Sequence, residues 1–173
     1  MNRVEFLKFF GGVTVIVSGT LCGLYASRVL KNRVSFLEQY IMFLTQTKTM
    51  ISYNAISAVE ILSSVGSVPL VSPMLEECIK NLSNGCSFED SWHKAVNSAY
   101  EKKLFTASDK PLIYSFGDTF GISDIDGEVT KTELHTALVS ERLEKARQDF
   151  SSKCKIYRIV GMFSGIVIVL LIY

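Results

Sequence analysis

The chain has 173 residues, 18 of them basic and 17 acidic, and a mean hydropathy of +0.27. Near-balanced charge without a long basic or acidic tail argues against nucleic acid as a partner. The apolar excess sits at the two ends, and the roughly 120 residues between them suffice for one modest core.

The first stretch, residues 9–27 (FFGGVTVIVSGTLCGLYAS), is nineteen uncharged residues between Lys8 and Arg28. As a helix it reaches about 28 Å, close to the ~30 Å hydrocarbon thickness of a bilayer, and so predicts a transmembrane span. A cleaved signal peptide is the alternative, with Ala26-Ser27 as the cut. Arg28 is a poor neighbour for that site, and a signal core is usually shorter. The four cysteines, Cys22, Cys78, Cys86 and Cys154, form no Cys-x-x-Cys pair and no Cys/His cluster. They read as reduced small hydrophobes rather than zinc ligands or a disulfide framework.

The central body reads as helices. It has no hairpin turn between alternating residues, and Pro69, Pro73 and Pro111 stand where helices begin. From Ser35, the positions Phe36, Leu37, Tyr40, Ile41, Phe43, Leu44, Met50 and Ile51 predict a first body helix ending near Tyr53-Asn54. Ala58, Val59, Ile61 and Leu62 predict a short second helix before Gly66. In the third, Ser72 is expected to cap, Pro73 to take the first helical position and Gly85 to supply a left-handed stop. Ser87 and Asp90 resemble a capping box, followed by a buried stripe of Phe88, Trp92, Ala95 and Val96. Asp109 and Pro111 open a segment with Leu112, Ile113, Phe116 and Phe120 apolar, and with Gly117 and Gly121 on one face. Ser123 and Asp126 are expected to launch a long helix with an apolar stripe of Val139, Leu143, Ala146 and Phe150, beside Leu134 and Leu138. Its other faces carry Glu141 with Lys145 and Asp149 with Lys153 at (i, i+4).

That helix runs into residues 159–173 (IVGMFSGIVIVLLIY), fifteen uncharged residues that reach about 22 Å. Ile156 and Tyr157 extend this run, and Lys155 and Arg158 can snorkel to headgroups, so it predicts a second span; a buried core helix is the alternative. Gly19 with Gly23, and Gly161 with Gly165, are two Gly-x-x-x-Gly pairs through which membrane helices can approach closely. Arg28, Lys31, Arg33, Lys153, Lys155 and Arg158 crowd the body side of the spans, whereas the terminal side has Arg3, Lys8 and the α-amine. The positive-inside rule therefore places the body in the cytoplasm and both termini outside. The expected architecture is all-α: an N-terminal transmembrane helix (1–30), an antiparallel bundle of about six helices (31–154) and a C-terminal transmembrane helix (155–173).

Motifs for chemistry are missing. The sequence contains no Gly-x-x-x-x-Gly-Lys-[Ser/Thr], no His-Glu-x-x-His and no Gly-x-Ser-x-Gly. His93 reads as lying at a helix edge and His135 on the polar flank of the long helix. Asp124-x-Asp126-Gly127 resembles the start of a calcium loop, but His135 stands where the bidentate Glu belongs, and helix capping explains the aspartates better. The adjacent acids Glu76-Glu77 and Glu89-Asp90 point different ways around a helix and do not form an acid and base pair. No enzyme, cofactor, metal or small-molecule substrate is therefore expected. Tyr100, Phe105 and Tyr114 are open between partner contact and core.

Three stretches carry a family resemblance: residues 82–92 (LSNGCSFEDSW), residues 116–124 (FGDTFGISD) and residues 155–165 (KIYRIVGMFSG). With the N-terminal apolar run they make the chain resemble the stage III sporulation protein AB family of endospore formers. The resemblance implies a helical domain similar to the cytoplasmic domain of the type II secretion platform F protein. It also implies a non-enzymatic scaffold in the mother-cell membrane around the forespore, within a channel complex joining the two cells, with a cytosolic secretion-type ATPase as partner. The runner-up is a secreted or cell-surface helical protein with a cleaved signal and one C-terminal anchor; a third is an integral membrane enzyme.

Overall fold

Nothing between Arg28 and Val34 breaks a helix, since Arg-Val-Leu-Lys-Asn-Arg-Val contains neither Gly nor Pro. The apolar N-terminal run and the first body helix accordingly form one helix, α1 (Arg3–Tyr53). The structure, a computed structural model, describes residues 3–53, 57–64 and 68–172. Among them are α1, α2 (Ala58–Ser64), α3 (Ser72–Ser83), α4 (Phe88–Glu101), α5 (Lys110–Thr119) and α6 (Ile125–Ile172), and no strand. The fold is all-helical, as expected from the sequence.

The chain divides into two compact units, one of Met1–Lys31 with Ala146–Tyr173 and one of Asn32–Lys145. In the second, α2 packs on α3, α3 on α4 and α4 on α5. Its core is built around Trp92, fully buried, whose indole N–H donates to the carbonyl of Ile113 at 2.8 Å. Tyr40 and Phe43 of α1, Phe88 of α4 and Phe116 of α5 surround it with ring centroids 5.0 to 6.4 Å away. The heptad-like run Phe36, Leu37, Tyr40, Phe43, Leu44 and Thr47 is how α1 reaches this core.

Helix ends agree with the sequence in part. Gly85 has φ +83, and Gly85 N–H and Cys86 N–H bond the carbonyls of Leu82 and Asn81 at 3.0 and 3.2 Å, closing α3. Ser87 Oγ accepts from Asp90 N–H at 3.1 Å, as a capping box requires. Ser72 does not cap: it already lies inside α3, behind the cap position of Val71, and its hydroxyl donates back to the carbonyl of Val68. At α6 the cap is Asp124, which accepts from Gly127 N–H at 3.1 Å. Glu128 reaches back to Gly121 N–H and Ser123 N–H at 3.0 and 2.9 Å, so these two replace the expected Ser123 and Asp126. Ser57 and Glu60 form a further reciprocal cap at α2.

The inward stripe of α6 is Glu128, Thr132, His135, Val139, Leu143 and Ala146, all buried. Leu134 and Leu138, expected beside the stripe, are 63 % and 43 % exposed. Extending the 3.6 period backward from Val139 selects His135 and Thr132, so His135 is a core residue and not part of a polar flank.

In the first unit Gly23 and Ser27 of α1 are buried, and Ser27 Oγ donates to the Cys154 carbonyl of α6 at 3.3 Å as well as to Gly23 at 3.0 Å. Large apolar side chains on the same two helices are exposed, among them Val17, Leu21, Tyr25, Ile156, Ile159, Val160, Phe163 and Val167. Among the described residues no helix is long and apolar enough to cross a membrane. Of the two expected transmembrane helices, the side chains of residues 1–10, 12, 13, 16, 158, 161, 162, 164–166 and 168–173 lie outside the described residues.

All four cysteines are free thiols, with Cys78 and Cys154 buried. Burial pushes the Cys78 thiol up to about 12, which leaves it inert.

Candidate functional site

Helical spacing places Glu89, His93, Asn97 and Tyr100 on one face of α4, and that face lies against Asp118, Tyr114 and Lys110 of α5. The contacts run along the seam in order. His93 Nε2 bonds Asp118 Oδ1 at 2.6 Å, and its ring lies 4.4 Å from that of Tyr114. Tyr114 Oη donates to Asn97 Oδ1 at 2.5 Å. The Lys110 ammonium stands 4.9 Å from the Tyr100 ring and 5.2 Å from that of Tyr114, so one cation serves two aromatic faces.

Two of the three aromatic candidates, Tyr100 and Tyr114, are half-buried on this seam. The third is not a surface residue. Phe105 is 4 % exposed, with its ring 5.0 Å from that of Phe36, because the chain after α4 folds back into the core instead of staying at the rim. Of the glycine candidates, Gly23 is buried and Gly19 half-buried. Gly161 and Gly165 lie outside the described residues as far as their surroundings go.

Glu89, His93 and Asp118 bring three ligand-type atoms within 4.8 Å of one another. One imidazole and two carboxylates are a donor set for a divalent cation, while the His93–Asp118 hydrogen bond accounts for their closeness without one. The Glu89–His93 spacing of four is the trace this cluster leaves in the sequence; the position of Asp118 opposite it comes only from the packing of α5 on α4. A concavity of about 170 Å³ lies between α5 and α6, walled by Phe116, Phe120, Leu134 and Leu138 with Lys131 at its edge.

Two buried polar contacts join residues that stand 76 and 95 positions apart, a separation that leaves no periodic sequence signal. Arg33 Nε and Nη2 bond Asp109 Oδ2 and Oδ1, both at 2.8 Å, and Thr106 N–H and Oγ1–H add bonds at 3.0 and 2.6 Å. Burial by itself would raise the Asp109 carboxyl; the bonds from Arg33 and Thr106 and the guanidinium charge outweigh it and hold the group below its usual value. Tyr40 Oη lies 3.2 Å from His135 Nε2. Burial lowers the imidazole to about 4 and raises the phenol, so both are neutral near pH 7.

Fold and seam together define an all-helical protein with a polar and aromatic surface on its body. The profile of the stage III sporulation protein AB family matches residues 8–173, and the chain belongs to that family. Membership gives it a part in stage III of sporulation. No curated protein and no solved structure matches the chain.

Proposed function

We propose that the protein is a non-enzymatic scaffold of a sporulation channel complex between mother cell and forespore. It is anchored in the mother-cell membrane around the forespore, and its cytoplasmic helical body docks a secretion-type ATPase. The observation that carries the membrane part is the exposed apolar surface of the first unit. There Val17, Leu21, Tyr25, Ile159, Val160, Phe163 and Val167 are each more than half exposed, a concentration that favours lipid contact over water. Arg28, Lys31, Lys153 and Lys155 border it on the body side, the bias the positive-inside rule associates with cytoplasm.

For the docking part, the α4–α5 seam offers two half-buried tyrosine rings, Tyr100 and Tyr114, a residue type that protein interfaces enrich. The ATPase as occupant is what the resemblance to the stage III sporulation protein AB family implies. The test is affinity purification of the tagged full-length protein from membranes of sporulating cells, with the ATPase detected in the eluate. Retention by the wild type and a loss of about tenfold or more in K110E/Y114A, with helix content unchanged, is the expected result. Equal retention by the variant would move docking off the seam, and absence of the ATPase from both eluates would remove the scaffold reading.

A further inference from the structure

Within the first unit, α1 and α6 leave a cavity of about 430 Å³ walled on one side by Leu21, Leu24, Tyr25, Arg28 and Lys31 and on the other by Phe150. The α1 residues follow one another at steps of three, one, three and three, so they form a single stripe about 15 Å long. Along that stripe chemistry changes in one direction: two leucines, then a tyrosine 63 % exposed, then two cations. Neither Arg28 nor Lys31 has a carboxylate partner among the described residues, whereas the next cation on α6, Lys153, is paired with Asp149 at 2.5 Å. On the same stretch of α1, Gly23 and Ser27 are buried and Ser27 bonds Cys154, so the helix is held at this level while the stripe stays open.

We infer that this cavity binds an anionic phospholipid. The headgroup phosphate bridges Arg28 and Lys31, Tyr25 sits at the glycerol level, and the acyl chain lies along Leu21 and Leu24 against Phe150. The order apolar, aromatic, cationic repeats the order of a lipid from tail to headgroup. Guanidinium suits a phosphate because its fork donates two parallel bonds. A zwitterionic lipid would add a choline cation to a site that already carries two unpaired positive charges, so the preference is for net negative headgroups. The inference rests on the membrane reading proposed above.

The test uses full-length protein in nanodiscs of phosphatidylcholine doped with phosphatidylglycerol, with spin-labelled phosphatidylglycerol as the probe, compared with R28Q/K31Q. Alkaline extraction of the membranes from which each protein is purified reports insertion separately. The wild type should bind the labelled lipid selectively over labelled phosphatidylcholine. The double variant should bind it about twenty-fivefold more weakly, about fivefold for each cation removed, with insertion unchanged. Millimolar inorganic phosphate should leave binding intact, because the acyl contacts are lost to a free anion. Normal insertion with equal binding by wild type and variant would overturn the lipid site alone, and so would full displacement by phosphate. Release of the wild type by alkali would overturn the membrane reading and the site with it.

Discussion

Asp109 illustrates how a single residue can satisfy a sequence rule while serving another purpose. Its place before Pro111 marks the start of α5, and it does stand at that helix's first boundary, but no cap bond runs from its side chain to the helix. The carboxylate is spent on Arg33, 76 positions away, and a pairing at that distance leaves no periodic trace. Removing one member of a buried pair strands the other, so D109A should lose about 3–5 kcal/mol in chemical unfolding, whereas the paired change R33M/D109L should recover much of it. A loss below about 1 kcal/mol in D109A would show that Arg33 finds water or another partner. His135 was misplaced for a related reason: a polar residue in an inward stripe reads as surface unless the phase is carried back from Val139. Its consequence is a pH dependence. The folded state keeps the imidazole neutral down to about 4, while the unfolded chain takes up a proton near 6.5. The unfolded state therefore binds more protons between those values, and stability falls with falling pH across that window by up to about 3 kcal/mol. The depressed Asp109 carboxyl works lower down: its contribution is full above the ordinary aspartate value near 4 and is lost as pH falls through its folded value. Chemical unfolding at pH 7, 5.5 and 4.5 should show the first loss in the wild type and not in H135F; a flat wild-type profile would contradict the buried neutral histidine.

Between elements, the decisive close approach is α5 on α4. A β-carbon at Gly117 would lie 2.5 Å from Trp92 Cδ1 and 2.7 Å from Cγ. The indole cannot retreat, because it is fully buried and tied to Ile113. Alanine gains about 1 kcal/mol of helix propensity, but overpacking a closed core costs about 1–3 kcal/mol. G117A should therefore be less stable than wild type by about 1 kcal/mol in thermal unfolding, with weakened near-UV signal from the single tryptophan; a more stable variant would show that α5 shifts freely. Elements whose ends depend on neighbouring residues were legible from the sequence: Gly85 and Ser87 do what their types and spacing indicate. The joint of α1 was not, since the change from apolar to charged residues at Arg28 looks like a boundary although the composition there continues a helix. The start of α6 was offset for a similar reason, with Asp124 and Glu128 clasping the preceding turn where Ser123 and Asp126 fit the cap pattern equally well. The α4–α5 seam was half legible, because spacing puts Glu89, His93, Asn97 and Tyr100 on one face but cannot say which helix lies against it.

At the scale of the molecule, the all-helical class was readable from periodicity and the three prolines, and the family from residues 82–92, 116–124 and 155–165. Two long helices bring opposite ends of the chain into one compact unit, and on the proposed reading that unit is the membrane anchor of a cytoplasmic body. The most direct measurement is thiol labelling of the full-length protein in intact cells, with its four native cysteines replaced and one reporter introduced as S87C, alongside intact mass. The account predicts full-length mass and labelling only after the membrane is opened. Labelling of intact cells, or a mass short by about the first 27 residues as signal cleavage at residues 26–27 would leave, would contradict the two-span anchor and remove the basis for an ATPase-docking scaffold.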